Sequence, residues 1–152
     1  MASQSPYIGV DVGTRRIGLA KSDAAGRFAM PFETVEASNQ REAAEHIAEL
    51  VDREGCHTIV VGWPLTLEGG EGRAVRQVAG FIDKVDAALS ERSLEPTIIR
   101  WDERLTTSAA ESFLIGADVS RQRRRRVVDQ IAATHILQGY LDSLDKSGES
   151  GD

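Results

Sequence analysis

The stretch Thr58-Ile59-Val60-Val61-Gly62 constrains this chain more than any other. Its interior is apolar at every position, whereas a strand with one wet face alternates apolar and polar residues. Such a run predicts an interior strand covered on both sides. Its neighbours in sequence carry a helical period. Residues 39–53 place Ala43, Ala44, Ile47, Leu50 and Val51 on one face, and residues 73–89 do the same with Val75, Val78, Ala79, Ile82, Val85 and Leu89. A strand entered and left through helices returns parallel to its sheet neighbours. The chain is therefore expected to build an α/β sheet around this segment.

Three further strands precede it, over residues 6–12, 17–22 and 27–35. Their connections are too short for crossovers, so they predict antiparallel hairpins. Asp23-Ala24-Ala25-Gly26 is a turn in which Gly26 can take a positive φ. Pro31 places the third strand at an edge or marks a bulge. A fifth strand runs from Pro96 to Trp101. Asn39 with Glu42 forms a capping-box pattern, and Gly55 closes the helix that follows. Ser108 and Glu111 repeat that pattern before a short helix ending near Ile115. A polar loop over 116–122 leads to a last helix over 123–143, with Val127, Val128, Ile131, Ala132, His135 and Ile136 near one face. The order β-β-β-α-β-α-β-α-α gives a five-stranded mixed sheet with helices on both faces. Residues 1–142 read as one domain, and the Ser/Gly/Asp-rich stretch 143–152 as a disordered tail.

At 152 residues and 41% hydrophobic content the chain can bury a core without covalent staples. A lone cysteine, Cys56, cannot pair within the chain and reads as a buried structural residue, which suits a reducing compartment. The opening MASQSPYIG lacks the pattern of a secretion signal, and no stretch has the length of a membrane span. These features predict a cytoplasmic protein without a membrane partner. The net charge of −6 disfavours indiscriminate coating of nucleic acid. It leaves room for a nuclease, in which a local basic surface works beside metal ions.

Four acidic residues at three places in the chain could carry such chemistry. Asp11 ends the first strand and is followed by Gly13 and the Thr14-Arg15-Arg16 corner. Asp102 and Glu103 end the fifth strand, and Asp129 lies just past the first turn of the last helix. Parallel strands bring their C-terminal ends to one sheet edge, where open α/β sheets bind ligands. Mg2+ and Mn2+ prefer oxygen ligands, and phosphodiester cleavage needs an activated water together with charge neutralisation on the phosphate. Each residue has a plainer alternative: a turn-stabilising role for Asp11, capping or pairing with Arg104 for Asp102 and Glu103, and an ion pair with Arg125 or Arg126 for Asp129. The Asp-Val-Gly-Thr start also occurs in phosphate-gripping turns of large two-domain ATPases, for which this chain is too short.

Basic residues cluster in the run Arg121-Gln122-Arg123-Arg124-Arg125-Arg126. Cations at a helix N-terminus oppose its dipole, so the run is better explained by phosphate contacts than by local structure. Arg15 and Arg16 form a second, weaker patch, and Arg104 adds another positive charge beside Glu103. Gly69, Gly70 and Gly72 suggest a mobile loop after the fourth strand. No Gly-Lys-Ser/Thr sequence follows them, so the loop is not a P-loop. Trp63 and Trp101 could stack on bases or pack internally, and His46, His57 and His135 form no ligand grouping.

Taken together, GVDVGTRRIGLA, VVGWPL with its glycine loop, WDERLTT and the arginine run leading into VVDQIAA resemble the YqgF/RuvX family. That bacterial group is described as pre-16S rRNA nucleases and as Holliday junction resolvases. Each motif is weak alone, but the ordered set over residues 6–142 is specific. The resemblance implies an RNase H-like fold and a carboxylate-bound Mg2+ or Mn2+. It implies catalytic roles for Asp11, Glu103 and Asp129, with the division of work between Asp102 and Glu103 left open. Trp63 stands where the family pattern suggests Leu, and Thr66 where Asn is common. The implied substrate is structured RNA, with branched DNA as the alternative, in a monomer or homodimer that could meet pre-ribosomal particles. A binding module without catalysis is the third possibility.

Overall fold

The computed structural model describes residues 6–66, 68–103 and 121–150, except the side chains of 121–125 and 145–150. The sheet orders its strands β3-β2-β1-β4-β5, where β1 is Tyr7–Val12, β2 Arg16–Ser22, β3 Ala29–Glu36, β4 Thr58–Trp63 and β5 Thr97–Asp102. The first three are antiparallel neighbours, and β4 and β5 join parallel to β1. The apolar run is thus an interior strand between β1 and β5. Pro31 satisfies both expectations for it. It lies in the edge strand β3, and the ladder there steps from Leu19↔Glu33 to Ala20↔Pro31, leaving Phe32 as the extra residue of a bulge. A proline at that point costs the ladder no essential donor.

Helix α1 is Gln40–Glu54. Its N-cap Asn39 accepts a hydrogen bond from the Glu42 amide at 3.1 Å, and Gly55 closes it in the left-handed region. Helix α2 is Arg73–Glu91. Both lie on one side of the sheet. There Ile47, Leu50, Phe81, Ile82 and Val85 pack on Ile8, Val10, Ile17, Leu19, Ile59 and Val61. These strand residues alternate with a second set facing the other way, as the period of two requires. That opposite side is covered by α3, Arg121–Ser150, through Ala133, Ile136, Leu137 and Leu141 packed on Ala20 and Val60. Side-chain hydrogen bonds also tie α3 to the edge strand. Thr34 Oγ1 donates to the Arg126 carbonyl at 2.8 Å, and the Ala29 amide donates to Gln138 Oε1 at 2.8 Å.

The last helix spans Arg121–Ser150, so it begins inside the loop expected over 116–122. Among the described side chains its last buried one is Leu141. The short helix expected after Ser108, residues 116–120 of that loop and Arg104 lie outside the described residues.

Candidate metal and nucleic-acid site

Strand register assembles the site. Asp11 pairs with Gly18 across β1 and β2, so the two share a face of the sheet. A side chain at Gly18 would run into the backbone carbonyl of Asp129, so the missing Cβ is what lets α3 press onto the strand there. That approach brings Asp129 beside Asp11. On the other flank β1 and β4 run in register through Val10↔Val61, which puts Gly62 next to Asp11. A Cβ on Gly62 would collide with the Glu103 carboxylate and would lie 2.7 Å from Ile136 Cδ1. Two strand glycines therefore hold the space into which Asp129 and Glu103 fit.

Alternation along β5 separates the neighbouring acids. Trp101 faces α3, packing edge-on against Tyr140 with ring centroids 6.0 Å apart. Asp102 is the register partner of Trp63, whose indole belongs to the opposite cluster. Glu103 returns to the α3 side and reaches Asp11. Of the four acidic candidates the structure brings together Asp11, Glu103 and Asp129, and it puts Asp102 on the other face of its strand.

Asp11 keeps some surface exposure but is crowded by protein. Its carboxyl is pushed up to about 8, first by burial, then by the charge of Glu103 and the hydrogen bond it shares with Glu103, and last by the charge of Asp129. Two carboxylates can share a hydrogen bond only if one carries a proton. Burial and the neighbouring carboxylates thus favour the neutral form of Asp11. Asp129 is engaged differently. Its Oδ2 accepts from Arg16 Nε at 2.7 Å, with both side chains about four-fifths buried. Among the described residues no three His, Cys, Asp or Glu side chains already stand in a closed metal-ligand set. The donors nonetheless suit a hard divalent ion. All are carboxylate oxygens, and a cation would relieve the repulsion between neighbouring carboxylates.

Of the basic candidates, Arg15 is exposed and Arg16 is turned inward onto Asp129. Arg126 pairs with Glu36 at 3.1 Å while keeping about half its side chain exposed. Arg121, Arg123, Arg124 and Arg125 occupy the helical turns just before Asp129, at the end of α3 that is anchored on β3. The described residues of the glycine loop carry local hydrogen bonds. Thr66 Oγ1 accepts from the Gly70 amide at 2.9 Å, the Thr66 carbonyl accepts from the Gly69 amide at 2.8 Å, and Gly72 caps α2. Trp63 packs under the Arg100 guanidinium, 4.8 Å from the ring centroid. Cys56 is buried with its thiol pushed up to about 12, mainly by burial, so it is no nucleophile.

Sequence reasoning overlooked Gly18, Gly62 and the Arg16–Asp129 pair. Glycines recurring in strand interiors were a usable signal, since they mark close backbone approach. The ion pair spans 113 positions, so no local pattern announces it.

An open mixed sheet of order β3-β2-β1-β4-β5, with carboxylates at the ends of β1 and β5 and on the covering helix, defines the RNase H-like class of nucleases and resolvases. Solved structures agree. RuvC of T. thermophilus in complex with a Holliday junction substrate matches with a TM-score of 0.57 at 15% identity, covering 93% of this chain and 96% of that one. The fowlpox virus Holliday junction resolvase matches with a TM-score of 0.52 at 13% identity, covering 91% and 99%. Residues 5–143 match the family model described as "RuvX: Holliday junction resolvase", and the chain belongs to that family. A relative from Desulforudis audaxviator, named "Putative pre-16S rRNA nuclease", is 44% identical over 143 residues, covering 94% of this chain and 97% of its own. One of the same name from Halalkalibacterium halodurans is 47% identical over 137 residues, covering 89% and 94%.

Proposed function

We propose that this chain is a divalent-metal-dependent endonuclease that hydrolyses phosphodiester bonds at the 5′ end of precursor 16S rRNA during ribosome biogenesis. The observation that carries the reading is the convergence of three carboxylates: Asp11 hydrogen-bonded to Glu103, with Asp129 brought beside it where Gly18 lacks a Cβ. Asp11, Glu103 and Asp129 would hold Mg2+ or Mn2+. One or two such ions supply Lewis acidity at the phosphate and an activated water. The protein's own part is positional. Strand ends fix Asp11 and Glu103, and the glycine contacts fix Asp129. Arg15 and the run Arg121 to Arg126 would seat the sugar-phosphate backbone without reading bases, with Arg104 beside them.

Precursor rRNA is preferred over branched DNA because the relatives from Desulforudis audaxviator and Halalkalibacterium halodurans, matched over 97% and 94% of their own length, carry the rRNA name. The family description and the RuvC likeness support junction resolution as the second reading, which requires two sites in a symmetric dimer. No helix among the described residues is long and apolar enough to cross a membrane, in keeping with a cytoplasmic role. Cleavage of precursor 16S rRNA and of a four-way DNA junction, side by side with Mg2+ and with Mn2+, tests the assignment. The account expects faster cutting of the RNA at its 5′ precursor segment. Paired symmetric cuts in the junction at the higher rate would reverse the order, and binding without cutting of either would leave only a binding module.

A further inference from the structure

Arg16 opens β2 from a fixed base. Its carbonyl accepts the Gly13 amide at 3.0 Å, and its Cα pairs with Glu36 in the ladder. The neighbouring Arg15 points to solvent, whereas the Arg16 guanidinium turns inward and donates to Asp129 Oδ2 at 2.7 Å. An exposed arginine built for phosphate would stay with Arg15. The buried one instead lies against the carboxylate that α3 delivers to the site, where an arginine keeps its charge at any ordinary pH.

From this geometry we propose that Arg16 is the protein's own counter-ion at the carboxylate site: it occupies Asp129 in the cation-free protein and competes with a divalent cation for it. The inference rests on the reading of Asp11, Glu103 and Asp129 as the cation site. Its physical content is a sign. A fixed positive charge within a few ångströms of the site opposes an incoming dication, so removing it should tighten cation binding. A purely structural role predicts the reverse, because Asp129 would lose its support. A role confined to nucleic acid predicts no change when nucleic acid is absent. Arg16 is thus a positioning residue that acts through Asp129.

The test is Mn2+ binding to the full chain without nucleic acid, followed by the electron paramagnetic resonance of the free ion at constant ionic strength. Arg16→Ala should bind Mn2+ roughly tenfold more tightly than the unaltered protein. Arg16→Lys, which keeps the charge, should stay near the unaltered affinity, and so should Arg15→Ala. Arg16→Gln serves in place of alanine if thermal melts show that the alanine variant is not folded. Unchanged or weaker binding in the folded uncharged variant overturns the proposal. Asp11→Asn separates the two levels. If it binds Mn2+ as the unaltered protein does, the carboxylate-site reading fails and this inference fails with it. If it loses binding while the uncharged Arg16 variant gains none, only the counter-ion role fails.

Discussion

The two faces of the sheet are built from different residues. Toward α1 and α2 the strands present Ile8, Val10, Ile17, Leu19, Ile59 and Val61, which are large, apolar and buried. Toward α3 the same strands present Gly9, Asp11, Gly18, Ala20, Val60 and Gly62. Side-chain volume on the first face holds the helices off and fills the gap with hydrophobic contact, which is where stability resides. The second face lets a helix backbone approach the strands so closely that a Cβ on Gly9 would lie 2.7 Å from Leu137 Cβ. Close approach contributes less apolar burial but positions one carboxylate from a helix against two from strand ends. The larger apolar cluster thus lies on one side of the sheet and the proposed cation site on the other, beside a smaller cluster.

The largest expected effects separate those sides. Asp11→Asn should reduce metal-dependent cleavage about a thousandfold or more, the scale of removing a group that acts on the reacting centre, while leaving the circular dichroism spectrum unchanged. Phe81→Ala, on the core face, should cost about 3–5 kcal/mol in denaturant unfolding, with the activity of the folded fraction preserved. A variant on either face that did both would break the contrast.

The pH dependence of the cation-free protein is the next effect. The Asp11 carboxyl titrates near 8 in the folded chain against 3.8 when unperturbed. Between those values the folded state holds a proton that the unfolded state has lost, so stability is greatest at the acid end and falls as pH rises from about 4 to about 8. The loss should be on the order of a few kcal/mol and should vanish in Asp11→Asn, as read from melts in chelator across that range. At pH 8 the inactive variant should therefore be the more stable one.

Two glycine substitutions sharpen the comparison at smaller scale. Gly18→Ala forces the Asp129 backbone away from the sheet, at about 1–3 kcal/mol in stability together with a loss of cleavage. Gly80→Ala, in α2 with open space around it, should stabilise by about 0.5–1 kcal/mol and leave activity alone. Thermal melts and cleavage rates on the pair show whether glycine matters for where it stands.

Much of this was legible in the sequence because it is governed by local period. The short hairpin connections, the continuous apolar run of β4 and the stripes of α1 and α2 placed the five strands and the first two helices to within a few residues. Asp11, Glu103 and Asp129 were legible as candidates because two lie at strand ends and the third follows an arginine run in the last helix. What single positions could not reveal was parity and distance. Asp102 and Glu103 differ only in which side of β5 they face, and that follows from the Trp63↔Asp102 register. Asp129 had Arg125 and Arg126 as candidate partners in its own helix; it accepts from Arg16 on a strand, and Arg126 reaches Glu36, while the Arg125 side chain lies outside the described residues.

If Asp11, Glu103 and Asp129 are the cation site, a divalent ion must displace the proton that burial favours on Asp11. Calorimetric titration with Mn2+ at pH 7, repeated in buffers of different ionisation enthalpy, measures that exchange directly. The account predicts release of about one proton per site filled in the unaltered protein, and neither release nor comparable affinity in Asp11→Asn. Binding of equal affinity in both proteins, with no proton released, would contradict it.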